Sequence, residues 1–138
     1  MIGKLLLATG LLLMLATAAA QSRMQRGKLQ PMQDAYAAAI RWGDFETAWQ
    51  LVDPAYKAEH PMTELEFERY QQVQISGYRD LSSSGGPDGM VERAIELRVI
   101  NKHTMAERTM RYRERWRWDP EAKRWWLVVG LPDLWNGE

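Results

Sequence analysis

The sequence predicts an α+β domain, with helices first and then strands that fold into a four-stranded, mainly antiparallel sheet. Three observations carry this. Between Met32 and about Val73 apolar residues recur at every third or fourth position. From Met90 onward they recur at every second position. The helical pattern is segregated before the run of strands, which is the α+β arrangement. At 138 residues the chain has room for one domain.

A hydrophobic segment precedes the domain. Lys4 leads into an apolar run from Leu5 to Ala20, and Ala18, Ala19 and Ala20 satisfy the small-x-small rule for cleavage. This is the layout of a secretory signal peptide over residues 1–20, with cleavage expected after Ala20. The run is shorter than the roughly 20 residues that span a bilayer. An uncleaved anchor is the alternative, because Arg23, Arg26 and Lys28 follow closely and cations there resist translocation. The first reading gives a periplasmic or secreted domain. The second gives an inner-membrane-anchored one, with its domain outside the cytoplasm and membrane contact only through residues 1–20. Residues 21–31 show no clear period and are expected to be a linker or a frayed start, which leaves 32–135 as the domain.

The first helix of the domain is expected from Met32 to Trp42, with Tyr36, Ala39 and Ile40 on one face. Gly43 suits the left-handed residue that ends a helix. Asp44 caps a second helix whose apolar residues are Phe45, Ala48, Trp49 and Val52. Asp53-Pro54 ends it, because the residue before proline avoids helical angles. Thr63 opens a third helix through a capping box with Glu66, Met62 can staple onto Phe67, and Phe67 and Tyr70 face inward.

Val73, Ile75, Gly77 and Tyr78 then suggest a strand with a bulge at the glycine. SSSGGPDG (82–89) reads as a loop. On the next strand Val91, Ile95, Leu97 and Val99 share a face, interrupted by Arg93. Asn101 to Thr104 turn the chain. Met110, Tyr112, Trp116 and Trp118 share the following face, interrupted by Glu114, while Arg111, Arg113, Arg115 and Arg117 point the other way. After a turn at Asp119-Pro120, the residues Trp125, Leu127, Val129 and Leu131 make the last strand.

Composition excludes several classes. Eighteen basic residues balance 18 acidic ones, so the whole chain has no electrostatic reason to seek nucleic acid. The four alternating arginines face Glu92, Glu96 and Glu107 on neighbouring segments, and cross-strand neutralisation explains them better than a nucleic-acid groove. With no cysteine there is no disulfide, thiolate site or nucleophilic thiol. His60 and His103 are the only histidines and do not form a ligand set, so no metal or other cofactor is expected. Seven tryptophans are many for this length, and Trp42, Trp49, Trp116, Trp118, Trp125 and Trp126 are expected in the core more than around a ligand. Trp125 and Trp126, being adjacent on a strand, must face opposite ways, so one of them lies outside the core or at an interface.

The stretch AYAAAIRWGDFETAWQLVDP (35–54) resembles the opening of NTF2-like domains, and RERWRWDPEAKRWWLV (113–128) resembles their final hairpin. The resemblance covers residues 32–135. It implies a curved sheet wrapped on helices as a cone with an apolar pocket, and dimerisation through the sheet in many members. Functions in that superfamily range from isomerases and cyclases to proteins that only bind or scaffold. In ketosteroid isomerases a tyrosine stands seven residues before the Gly-Asp pair, as Tyr36 does here. A protonated acid stands five residues before the last turn, as Glu114 does here. Such an acid donates a hydrogen bond to an oxyanion. The likeness lacks a general base, because the matching region YKAEHPMTELEF reads as a helix start. A tyrosine and an acid without a base can hold a polar group but cannot move a proton.

Arg93 and Glu114 interrupt apolar faces of adjacent strands, and buried charges are costly unless paired, so they are expected to form an ion pair. That pair can be structural or can orient a ligand. Tyr36 is most simply a core residue with its hydroxyl near the pocket. The residues expected to line a pocket are Tyr36, Trp49, Arg93, Tyr112, Glu114 and Trp116. The sequence therefore leads to a non-catalytic, exported domain that binds a small apolar ligand or a protein partner in the bacterial cell envelope. The alternatives are an isomerase- or cyclase-type enzyme using an apolar pocket, and a membrane-anchored assembly component that forms a homodimer through its sheet.

Overall fold

The computed structural model describes the backbone of residues 2–135 and the side chains of residues 22–135 apart from Pro87. Four helices precede a four-stranded antiparallel sheet of order β1-β2-β3-β4. The helices are α1 (Ile2–Arg41), α2 (Phe45–Gln50), α3 (Pro54–Glu59) and α4 (Glu64–Tyr70). The strands are β1 (Val73–Gly85), β2 (Val91–Asn101), β3 (Glu107–Asp119) and β4 (Arg124–Leu127). The signal-or-anchor expectation for residues 1–20 rests on side chains outside the described residues. Among the side chains that are described, no helix is long and apolar enough to cross a membrane.

Residues 21–31 are helical and continue into the domain as part of α1, where a linker or a frayed start was expected. The missing period misled because tertiary contacts hold this stretch, not an amphipathic stripe. Trp125 Nε1 donates to the Gln25 carbonyl at 2.7 Å, Lys28 Nζ donates to the Lys123 carbonyl at 2.9 Å, and Leu29 and Met32 pack on the core. These contacts lie on both sides of Pro31, which deprives the Gly27 carbonyl of its helical donor. Tyr36, Ala39 and Ile40 then turn their common face onto the sheet, and all three are buried.

Gly43 takes a φ of 74°, and Asp44 accepts from Thr47 N and Thr47 Oγ1 to start α2. That helix ends at Gln50, two residues before the expected Val52. The chain extends instead, and Val52 bridges to Leu127 in parallel. Pro54 both ends one helix and begins another. It occupies the first turn of α3, where its lack of an N–H costs nothing, and Asp53 caps it by accepting from Ala55 N at 2.9 Å. This unforeseen helix makes four where three were expected. The capping box of α4 forms as read, with Thr63 Oγ1 accepting from Glu66 N and Glu66 accepting from Thr63 N.

The sheet follows the predicted alternation. Arg93, Ile95, Leu97 and Val99 are buried on β2, as are Glu114 and Trp116 on β3. The register of β1 slips between Ile75 and Gly77, so Ser76 is the extra residue of a bulge, and it slips again between Asp80 and Ser82. Residues 82–85, expected in a loop, pair with Val91 to Ala94. Backbone pairing extends the strand there although both faces are exposed. The turn shrinks to residues 86–90, with Asp88 and Gly89 at φ 60° and 73°. The last strand stops at Leu127 instead of reaching Leu131. Pro132 has no N–H to offer a ladder. The carbonyls of Gly130 and Pro132 accept from Tyr112 and Tyr70 hydroxyls at 2.8 and 3.0 Å, and Leu134 is fully buried in the tail.

Candidate functional site

Of the six residues expected around a pocket, the fold brings five together: Tyr36 from α1, Arg93 from β2, and Tyr112, Glu114 and Trp116 from β3. Arg93 and Glu114 are direct cross-strand partners. Arg93 Nε donates to Glu114 Oε2 at 2.9 Å, and its Nη2 donates to Oε1 at 3.2 Å. Trp116 Nε1 is a third donor to the carboxylate, reaching Oε2 at 2.9 Å. The Tyr78 hydroxyl donates to Oε1 and accepts from Arg93 Nη2 at 3.0 Å. The pair is inside the protein, with the Arg93 side chain 5 % and the Glu114 side chain 0 % exposed.

The second half of the network is a chain of hydroxyls. Tyr112 donates to the Gly130 carbonyl, so in the 2.9 Å contact between Tyr36 and Tyr112 hydroxyls Tyr36 is the donor. Trp116 packs edge-on against Tyr36, ring centres 5.7 Å apart. Trp49 stands elsewhere, edge-on to Tyr56 and Phe67.

Electrostatics follow from burial. Desolvation drives the Tyr36 and Tyr112 hydroxyls well above the usual phenol value, so both stay protonated donors. Tyr78 is raised by burial and then by the negative charge of Glu114. Burial pulls the Arg93 guanidinium down, but the hydrogen bond and charge of Glu114, with Tyr78 and Asp80, outweigh it and leave its pKa raised.

Chemically, Glu114 receives hydrogen bonds and offers none. Its acceptor sites are taken by protein groups, and Tyr36, Glu114 and Trp116 are all 0 % exposed.

Sequence reasoning left Tyr78 off the site. Its signal was present: apolar residues at 73, 75 and 78 break a period of two by one step, and the bulge at Ser76 supplies that step. The Gly130 carbonyl carried no such signal, because any residue has one. His60 stacks on Tyr56 at 4.2 Å, while the His103 amide donates to Asn101 Oδ1 in the β2–β3 turn.

The surface holds a correction. Trp42, read as core, is 88 % exposed. It lies past the last turn of α1, where Gly43 reverses the chain and the helix no longer faces the sheet. Beside it is a groove of about 380 Å³, walled by Arg41, Tyr70 and the start of β1. On the outer sheet face Trp126 is half-buried beneath Arg124, 3.5 Å from its ring centre, while its neighbour Trp125 is buried as the alternation requires. Three of the four alternating arginines, Arg113, Arg115 and Arg117, meet carboxylates, though only partly the expected ones. Arg113 and Arg115 meet Glu92, Arg117 meets Asp53, and Glu96 and Glu107 pair with Arg79 and Arg98.

Neither a scan of the chain against protein-family models nor a search of the curated proteins found a match.

Proposed function

We propose that this chain is an exported, non-catalytic, NTF2-like binding domain of the bacterial cell envelope that engages a protein partner at its surface. The NTF2-like reading rests on α1 lying against β1 and β4 ahead of a four-stranded sheet, together with the Gly43-Asp44 break and the Asp53-Pro54 stop. One observation carries the functional reading. The polar groups that could serve a ligand are spent on one another inside, whereas the largest exposed apolar side chain, Trp42, stands at the rim of a groove. An isomerase or cyclase would need an open cavity reaching Tyr36 and Glu114, with a base across it.

The test is photo-cross-linking in the producing cell, with a benzophenone side chain placed at position 42 or at 111. Position 42 should give one discrete heavier adduct and position 111 none. A chain that stays uncoupled from position 42 overturns the reading.

A membrane-anchored assembly component is the second reading. The helical course of residues 21–31 favours it, because no extended linker separates residues 1–20 from the domain. N-terminal sequencing of the exported protein separates the two: a chain beginning at Gln21 is a cleaved product, and a chain retaining Met1 or Ile2 is anchored.

A further inference from the structure

The first strand of the sheet has an open edge. On the β4 side the Leu127 rung is taken: Leu127 N donates to the Leu51 carbonyl at 3.1 Å, and Asp53 N donates to the Leu127 carbonyl at 2.8 Å. On the other side β1 has no partner beyond β2 among the described residues. Two adjoining grooves, of about 380 and 360 Å³, follow it. Residues 73–76 line the first and 77–79 line the second. Successive strand residues point to opposite faces, so a groove walled by consecutive residues runs along the strand's edge, where main-chain N–H and C=O groups are unpaired.

The charges along this edge have one sign left over. At the second groove Arg79 and Arg98 are satisfied by Glu96 and Glu107, at 2.9 and 2.7 Å. Arg41, which lines both grooves, and Lys102 have no carboxylate at ion-pair distance among the described residues. Trp42 stands over the same groove.

We propose that this edge takes an extended, acidic segment of a partner protein as a fifth strand. Its main chain pairs with β1 between Val73 and Arg79, its carboxylates meet Arg41 and Lys102, and Trp42 covers one of its apolar side chains. Pairing β1 with β1 of a second copy would put two Arg41 side chains into one groove and bring no new carboxylate, so charge favours the acidic segment. The inference rests on the surface-binding reading above and names the chemistry of its partner.

The probe is a blocked peptide of alternating Glu and Val, about eight residues long to match the groove. It is titrated by calorimetry onto the full chain isolated as the cell exports it. Saturable binding is expected, at least ~tenfold weaker for a Lys–Val peptide and ~tenfold weaker for Arg41→Glu or Trp42→Ala. Methylating alternate peptide amides should abolish it, because that removes strand pairing and leaves charge unchanged. No saturable binding, equal binding of the Lys–Val peptide, or indifference to methylation overturns the proposal. A stable dimer that excludes the peptide also overturns it and gives the edge to a second copy. If the peptides fail while position 42 still cross-links, the strand-addition inference falls alone and the surface-binding reading stands.

Discussion

Two consecutive rungs of the β2–β3 ladder carry the same chemistry with the charges exchanged. Arg93 faces Glu114, and Glu92 faces Arg115. Successive residues alternate faces, so the first rung points into the core and the second into solvent. The inner pair is 5 % and 0 % exposed and is held by Tyr78 and Trp116 as well. The outer pair is 41 % and 30 % exposed, at 3.2 Å, with Arg113 sharing the glutamate at 3.6 Å. Register alone assigns one pair to architecture and the other to surface charge. The comparison teaches that a one-residue slip would exchange them, burying Glu92 and Arg115 in place of the satisfied cluster.

The sharpest way to break the contrast is Glu114→Ala. It strands Arg93 in the core and should cost about 3–5 kcal/mol, read as a lower urea midpoint. The double change Arg93→Met with Glu114→Leu sharpens it further. With no charge left to strand, it should regain most of that loss and sit within about 2 kcal/mol of the parent chain. A double variant as unstable as Glu114→Ala would mean that the lost Tyr78 and Trp116 hydrogen bonds, and not the charge, set the cost.

Tyr36→Phe removes one hydroxyl from the Tyr36–Tyr112–Gly130 relay and should cost about 1 kcal/mol near neutral pH. It also changes the alkaline limb. The buried tyrosines have folded pKa values above the unfolded value, so their contribution is complete below about pH 10 and declines as pH rises beyond it. With one such group fewer, the melting temperature of Tyr36→Phe should fall less steeply between pH 9 and 11 on the ordinary tyrosine scale of roughly 10. Asp44 works at the other end. Hydrogen bonds from Thr47 hold its carboxyl below the usual range, so its contribution is present above the unfolded carboxylate pKa and lost as pH falls through the lower folded one. Asp44→Asn keeps a capping oxygen and should flatten only that acid limb in a melting series. Glu92→Gln is the smallest expected effect, under about 1 kcal/mol and shrinking with added salt.

Most of this fold is legible because burial imposes a period. The alternation in 91–99 and 110–118 needs only the two-residue repeat of a strand, and the Arg93–Glu114 pair follows from two charges breaking two apolar faces. Among the features that escaped, three show the physical reasons best. Residues 21–31 are held by a tryptophan and a lysine reaching distant carbonyls, which leave no local pattern. Residues 82–85 form strand through backbone pairing that their serines do not advertise. Trp42 is exposed because Gly43 ends the helix at its heel, so its hydrophobicity pointed the wrong way. Within the site, the grouping was legible and the closure was not, since whether Trp116 fills or borders a hollow depends on packing in three dimensions.

The Val52–Leu127 bridge has a consequence for assembly in bulk. A sheet with two bare margins can recruit neighbours without limit and grow into fibrils. Here the molecule's own residues 51–53 take the Leu127 rung of one margin. A strand that would extend the sheet from β4 at Leu127 therefore meets a rung already filled, so growth at that end requires residues 51–53 to detach first.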